Sequence, residues 1–489
     1  MSSKAITTQE KDYSQWYLDV VDAADLAENS SVRGCMVIKP YGYALWENMQ
    51  RVLDAKFKET GAVNAYFPIF IPKSFFEREA EHVEGFAKEC AVVTHHRLEL
   101  DAKTGKLAPA GPLEEPLVVR PTSETIIYDT YSRWIESYRD LPLLINQWAN
   151  VVRWEMRTRL FLRSMEFLWQ EGHTAHATKE EADERTRQMV DVYKDFFENY
   201  LAIPVISGRK TESEKFAGAE YTLCIEAMMG DGKALQAGTS HMLGQNFAKA
   251  FNVGFLDEKG QRQLVWQTSW GVSTRMIGGL IMAHGDNKGM IMPPQIAPIQ
   301  VIIVAIFTDS EEEKLTVAKA NGLAKELKQS GVSVQVDGRD ERPGVKFYDW
   351  EKKGVPLRIE IGPKDVEKNQ AVLVRRDNGE KSQVASVKIS QSVTDLLVDI
   401  QKSLYEKALK FQKANTKKID TLVELEKHFS QHEGFVLAHW CGDDACAEEI
   451  KVKTKATIRC IPFDQQKDAG KCPVCGKSSQ GRVIFAKAY

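Results

Sequence analysis

Apolar residues recur along the chain in distinct rhythms, and each rhythm predicts an element. Over 44–60, Leu45, Met49, Val52, Leu53 and Phe57 return at helical spacing, and Gly61 follows as a C-terminal stop. Residues 64–72 form an extended aromatic stretch whose Pro68 and Pro72 predict a sheet edge or an interface rather than a central strand. Residues 178–200 predict a second amphipathic helix. Thr178 and Glu181 have capping-box spacing, and Met189, Val192, Tyr193, Phe196, Phe197 and Tyr200 line one face, a stripe expected to be core. The run MPPQIAP at 292–298 reads as a linker. Beyond it strand and helix rhythms alternate: a strand at 299–307, a helix at 311–329, then alternation at Val332, Val334 and Val336 and at Leu357, Ile359 and Ile361. That tempo predicts a small α/β domain. A Lys-rich helical bridge at 402–418 leads into a cysteine-rich tail. The division expected is 1–292, a linker at 293–298, then 299–400 and 401–489.

Composition sharpens this picture. At 489 residues the chain exceeds what one hydrophobic core usually serves and suits two to four domains of ~100–200 residues. Hydrophobic residues at 43% and charged residues at 27% are an ordinary globular balance, which argues against wholesale disorder. A net charge of −3 leaves no global basic footprint. A nucleic-acid partner would therefore bind a local face. Residues 341–376 carry nine Lys/Arg against six Asp/Glu, and 401–420 carry six against two. The first thirty residues mix Lys4, Lys11, Asp12, Asp19, Asp22, Asp25 and Glu28 with no apolar core, so no signal peptide is expected. The longest apolar run, near 301–307, is far short of the ~20 residues that span a bilayer. The expected setting is the cytoplasm, with no membrane partner. Eight cysteines in so long a chain do not suggest a disulfide scaffold, but five of them crowd into the last fifty residues.

Those cysteines form one candidate site. Cys441-x4-Cys446 and Cys472-x2-Cys475, the second pair within CPVCG, match a tetrahedral Cys₄ zinc site. A closed set of four thiolates leaves no position for substrate, so a structural role is expected. Cys460, in the apolar RCIPF, reads as a core thiol, with a place in the metal site instead of Cys446 left open.

Four other segments carry chemistry. The run RWEMRTRLFLR holds Arg153, Arg157, Arg159 and Arg163, and the planar guanidinium fork suits phosphate and carboxylate. On a strand, Arg153 and Glu155 would share a face; the plainer alternative is a solvated, salt-bridged hairpin. Read as a strand, FLWQEGH puts Phe167, Trp169, Glu171 and His173 on one face, a mixture that suits a polar pocket better than a packed core. QAGTSH sets Gln236, Thr239, Ser240 and His241 among small residues. SWGVSTRMIGG joins a strand to a small-residue helix, with Arg275 at the junction where a phosphate can be met. Neither GxxxxGK[ST] nor GxGxxG occurs, so ATP, if used, is not bound in those modes.

In combination these segments resemble a class II aminoacyl-tRNA synthetase, and more narrowly the eukaryote-like and archaeal-like type of prolyl-tRNA synthetase, over essentially the whole length. The anchors are NAYFPIFIP, VVRWEMR through EFLWQEGH, and SWGVSTRMIGG. VRPTSET, QAGTSH, MAHGD, KGVPLRIEIGPKD, CGDDAC, RCIPF, CPVCG and VIFAKAY add to them. The resemblance implies a multidomain α+β and α/β fold. A class II antiparallel sheet with flanking helices would occupy 1–292 and form a homodimer through 64–72. An α/β anticodon-binding domain would follow, then a small zinc-containing C-terminal domain. It implies a proline–tRNA ligase, ATP-dependent and AMP-forming. L-proline would be activated to prolyl-adenylate and then passed to the 3′-terminal ribose of tRNA(Pro).

The resemblance also implies roles. Thr122 and Glu124 would hold the proline imino group, and Phe167, Trp169 and His241 would line its pocket. Arg153 would bridge the proline carboxylate and the ATP α-phosphate. Glu155, Arg163, Ser164, Gln236, Thr239, Ser273 and Arg275 would contact ATP, with Gln236 near Mg²⁺. Phe347, Glu351, Arg358 and Lys364 would meet anticodon bases. Structural Zn²⁺ would sit on Cys441, Cys446, Cys472 and Cys475. Two positions depart from the family: Ala237 where Gly is common, and Ser164 where Thr is common. Only 63 residues separate Gly172 from Gln236, too few for a separate hydrolytic domain of ~100–150 residues. On residues alone three alternatives stay open: an inactive RNA-binding paralogue, a zinc-stabilised nucleic-acid-binding protein, and a synthetase for another amino acid such as threonine.

Overall fold

Apolar and polar residues alternate along several consecutive segments between 143 and 273, which is how a sheet with one core face and one polar face is written. A computed structural model describes residues 5–78, 89–465 and 468–489. Among the described residues these segments join an eleven-stranded sheet. Its order across the sheet is Thr416–Lys418, Phe435–His439, Arg482–Ala486, Thr457–Pro462, Val205–Arg209, Tyr221–Met228, Ala234–Gly244, Trp266–Ser273, Glu166–His176, Leu143–Val152 and Val63–Asn64. All neighbours run antiparallel except the outermost pair at each end. Strand Thr457–Pro462, from the last unit of the chain, continues this sheet, with Ile461 opposite Arg209 and Pro462 opposite Gly208.

The apolar stripes on the helices cover the other face. Helix Pro40–Glu59 starts earlier than the periodicity suggests, because Pro40 stands at a first-turn position where its missing N–H costs nothing. It stops at Gly61, whose φ of +86° an L side chain rarely adopts. Helix Lys179–Asp195 carries the expected capping box between Thr178 and Glu181, and one π turn, Phe196–Tyr200, extends it. Phe57, Tyr193 and Trp270 meet beneath the sheet, with Phe57 4.9 Å from Trp270 and edge-on to Tyr193 at 6.1 Å. Helix Arg275–His284 is buried along nearly its whole length.

One expectation changes here. The strand that precedes the arginine cluster ends at Val152. Arg153 N–H donates to the Met165 carbonyl at 2.8 Å, and the chain then leaves the sheet, so Arg153 and Glu155 do not share a strand face. The 292–298 segment is not an open tether. Ile296 and Ala297 are buried in the main core, while Met290 and Met292 N–H donate to the Lys352 and Gly354 carbonyls at 3.0 and 3.1 Å. Its prolines stiffen a segment that its apolar residues bury. The edge-like 64–72 stretch divides: Val63–Asn64 joins the large sheet, and Phe70–Pro72 joins a three-stranded sheet with Ala91–Leu100 and Leu107–Val119.

The α/β unit follows the predicted tempo. Val334–Asp337, Val301–Ala305 and Leu357–Ile361 run parallel, and Gln370–Arg375 and Lys381–Ala385 complete the sheet antiparallel. Helix Ser310–Gln329 is capped by Asp309. Helix Ile389–Ala414 runs through the expected boundary at 400 and lies along the first unit, where Gln401 and Gln412 donate to the Asn199 and Pro204 carbonyls. Arg376 grips Asp286 with two bonds of 2.9 and 2.6 Å, tying the two units together.

Gly172 is the position where close approach decides residue type. It lies opposite Trp270, and a methyl group built there would fall inside the indole ring. Gly172→Ala is expected to displace Trp270 at a cost of ~1–3 kcal/mol. Thermal unfolding of the variant checks this; an unchanged midpoint would show that the ring gives way freely.

Candidate active site

Three adjacent strands supply the floor of the site, and their register lines up the side chains. Trp169 faces Ser273, Glu171 faces Gly271 and His173 faces Ser269. On the next strand Gly271 faces Thr239 and Ser269 faces His241. The odd-numbered positions of all three strands thus share one face, and they line a cavity of about 290 Å³. Gln236 has the wrong parity for that face. A bulge, at which Ile225 pairs with Gly238 and Glu226 with Gln236, shifts the register and brings Gln236 into the same cavity. Thr122 and Glu124, at the start of helix Glu124–Trp134, close one side, and Arg153 and Arg275 close another.

The charges here are held by dense hydrogen bonding. Thr122 donates its hydroxyl to Glu124 in a short buried bond. Glu171, buried, accepts from Ser123 Oγ at 2.5 Å, Gln147 Nε2 at 2.8 Å and His173 Nε2 at 3.0 Å. Burial alone would raise its pKa, but these bonds and the His173 charge hold it below the usual value. The reciprocal bond and the nearby Glu124 and Glu171 charges raise His173 against its own burial. His241 behaves in the opposite way. Burial, with His173 and Arg153 nearby, pushes its pKa down to about 3, and its ring packs 4.5 Å from Phe216 while Nδ1 bonds Thr222 Oγ1 at 2.9 Å. His241 is therefore a neutral wall at neutral pH.

Arg153 donates Nε–H to the Pro121 carbonyl at 2.9 Å, and its guanidinium lies 5.3 Å from the Trp169 ring and 5.7 Å from Phe167. Burial lowers its pKa, opposed by Glu124, Glu89 and Glu171. Burial together with Arg153 and Arg163 brings Arg275 down to about 10, so it stays charged at neutral pH. Among the described residues, buried polar atoms of cavity-lining residues without a partner include Trp169 Nε1–H, His173 Nδ1 and Ser269 Oγ–H. Leaving such a group unmet costs ~1–3 kcal/mol, which a polar ligand would relieve.

Of the residues singled out in the sequence, Thr122, Glu124, Arg153, Phe167, Trp169, Gln236, Thr239, His241, Ser273 and Arg275 come together in this cavity. Glu155, Arg163 and Ser164 do not line it. They lie on the hairpin that leaves the sheet after Val152, where Arg163 Nε sits 3.7 Å from Glu155. Ser164 is buried, and its hydroxyl has no partner among the described residues. Lys210, Glu214, Phe216 and Thr222 also line the cavity and were missed. The one available signal was Glu226, a lone acid in the apolar strand YTLCIEAM, which is the partner that holds Lys210.

Two further sites lie elsewhere. In the α/β unit, Glu351 and Arg358 line a small groove with Lys288, Arg375, Arg376 and Lys381. The Arg358 guanidinium lies 4.3 Å from the Phe347 ring and is held by Glu360 at 2.9 and 3.0 Å. Lys364 is exposed on helix Pro363–Glu367, outside the groove. In the tail, the sulfurs of Cys441, Cys446, Cys472 and Cys475 all lie within 4.8 Å of one another, and those of Cys441 and Cys475 are 3.6 Å apart. Tetrahedral zinc thiolates at ~2.3 Å would set sulfurs about 3.8 Å apart, so the four residues fit that ion. Cys460 is buried in its own strand beside Cys224 and is not in this group.

Comparison with known proteins accounts for all three units. Residues 110–284 match the tRNA synthetase class II core domain (G, H, P, S and T), 300–396 match the anticodon binding domain, and 422–489 match the C-terminal domain of prolyl-tRNA synthetase. The proline–tRNA ligase of Flavobacterium johnsoniae is 58% identical and covers 100% of both chains. Those of Porphyromonas gingivalis and Bacteroides fragilis are 58% and 57% identical over 99% of each chain.

Three buried histidines set an acid limit on the folded state. Burial depresses His176 and His241 to about 3 and His284 to about 4. The unfolded chain protonates these rings below about 6.5, so between that pH and the folded values it binds more protons than the native state. Their contribution to stability is complete above pH 6.5 and is lost as pH falls toward 3–4. Unfolding midpoints measured across pH 4–7 should fall with acid, and His241→Phe should flatten part of that slope.

Proposed function

The chain belongs to the proline–tRNA ligases, charging tRNA with proline on a class II core, and from that premise we propose what each part of the site does. A proline carboxylate oxygen attacks the α-phosphorus of ATP, the bond to the bridging oxygen breaks, and pyrophosphate leaves. A 3′-terminal ribose hydroxyl of tRNA then attacks the prolyl carbonyl, and AMP leaves. The observation that carries this reading is the place of Arg153. It stands in one cavity with the Thr122–Glu124 pair and with Arg275. A secondary ammonium wants a carboxylate and a hydroxyl, and the two arginines answer the carboxylate and the phosphates. Proline's ring lies against Phe167, Trp169 and neutral His241. Gln236, Thr239 and Ser273 hold the nucleotide, while Glu155, Arg163 and Ser164 meet it only if their hairpin closes over the cavity. The chemistry is positioning and charge neutralisation, with no protein base assigned. Magnesium, when bound with ATP, supplies further positive charge, and the Gln236 carbonyl is a suitable hard ligand.

The other assignments follow the same reading. Activation belongs to 1–292, anticodon reading to 299–400 and the metal site to 401–489. Phe347, Glu351 and Arg358 read anticodon bases in the α/β groove, Arg358 exchanging Glu360 for a base, and Lys364 answers the backbone beside it. The homodimer forms through 64–72 and the hairpin beside it, which leave Val63, Tyr66, Phe70, Val92 and Leu98 exposed next to a sheet edge. Among the described residues no helix is long and apolar enough to cross a membrane, and with the tRNA substrate this supports a cytoplasmic setting. The short span between Gly172 and Gln236 supports the eukaryote-like and archaeal-like type.

Arg153→Ala is expected to lower proline-dependent pyrophosphate exchange by ~10²–10³, the usual loss when a transition-state charge contact is removed. Near-normal exchange by the folded variant would refute the assignment. The tail is expected to bind one zinc through its four clustered thiolates and to loosen before the catalytic unit when a ligand is lost. Metal analysis should find Cys472→Ser depleted and Cys460→Ser full; the reverse pattern contradicts the ligand set.

A further inference from the structure

Lys210, Glu226 and Arg459 form a buried cluster beside the cavity, and its charges do not balance. Glu226 is fully buried, Lys210 is 3% exposed and Arg459 9%. Lys210 Nζ donates to Glu226 Oε1 at 2.7 Å and to the Arg459 carbonyl at 2.8 Å. Arg459 Nε and Nη2 donate to the same carboxylate at 3.1 and 3.2 Å. Among these bonded groups two cations thus share one anion, a surplus of one positive charge little screened by water; Glu214, the other acid that acts on Arg459, lines the cavity and is bonded to neither cation among the described residues. A structural ion pair needs one cation for one carboxylate; here the second comes from a strand of the C-terminal unit, 233 residues away. Three observations aim the surplus at the cavity. Lys210 lines it, Glu226 is the register partner of Gln236, and Arg275 feels both Glu226 and Arg459.

We propose that Arg459 is a positioning residue for nucleotide binding: by sharing Glu226 with Lys210 it keeps the three bonded groups at a net charge of +1 beside the cavity, and so favours the polyphosphate of ATP. This rests on reading the cavity as the adenylation site. Removing the guanidinium leaves Lys210 and Glu226 as a neutral pair, and the field at the phosphates falls by one charge. The proline side, at Thr122 and Glu124, is untouched.

The test is steady-state pyrophosphate exchange with the full chain, varying ATP and proline separately. Arg459→Met is expected to raise KM for ATP about tenfold, the size one charge exerts across ~10 Å of protein, while KM for proline stays the same. Arg459→Lys, which keeps the charge, should restore most of the ATP affinity. The decisive variant is Arg459→Met with Glu226→Gln. It removes a cation and an anion together, restores the net charge of +1, and should return KM for ATP to near the native value even if Arg459→Met alone does not fold. Continued weak ATP binding in that double variant would overturn the proposal. So would an equal rise in both KM values in Arg459→Met, or an unchanged KM for ATP. Arg275→Ala in the same assay separates the two readings. If it leaves KM for ATP unmoved, the site is misread; if it raises KM while Arg459→Met does not, only the role of Arg459 falls.

Discussion

Charge taken out of water must be compensated, and the catalytic sheet is arranged around that requirement. Glu171 is acceptable in the interior because Ser123, Gln147 and His173 all donate to it. Those donors come from a helix start and from two strands, so meeting one carboxylate fixes the relative placement of three elements. Arg153 is bracketed in the same way by the Pro121 carbonyl, two aromatic faces and the surrounding acids. These charged groups are hydrogen-bonded in place without any ligand, which suits a reaction governed by positioning.

How much of this was legible depends on the range of each interaction. The two-residue period at Phe167, Trp169, Glu171 and His173 is local, and it placed all four on the cavity face. The Thr178–Glu181 box and the cysteine spacings are local too. Gln236 needed a bulge that no spacing rule announces. Lys210 had only the signal of Glu226, and Arg459 was invisible because its significance lies in a partner 233 residues away. The packing of the 292–298 linker was not legible for a different reason. Proline content speaks of stiffness, and a stiff segment can be buried when Ile296 and Ala297 have a core to fill.

The α/β unit is oriented on its neighbour by directional contacts as well as by packing. Arg376 uses both arms on Asp286 and its Nε on the Glu351 carbonyl, and Lys288 reaches the Glu351 carboxylate at 3.1 Å. Asp286 follows directly on the helix that begins at Arg275 and on its cap at Gly285, and its own carbonyl accepts from Trp16 Nε1. Groove and cavity are therefore linked through this loop and helix, alongside the apolar packing of Ala202 and Ile291 on Ile400 and Leu404.

The continuous sheet has a consequence for the life of the nascent chain. Strand Arg482–Ala486 lies between Phe435–His439 and Thr457–Pro462, so the outer part of the sheet cannot assemble until residues 482–486 have been made. Until Thr457–Pro462 has been made, Val205–Arg209 is an edge with unpaired backbone groups. At about 5–20 residues per second the ribosome leaves it so for roughly ten seconds to a minute. An open edge of that kind invites pairing with a neighbouring chain on the same messenger. The strand's short length and its exposed Arg209 are features that blunt such an edge, and they work during synthesis rather than in the finished fold.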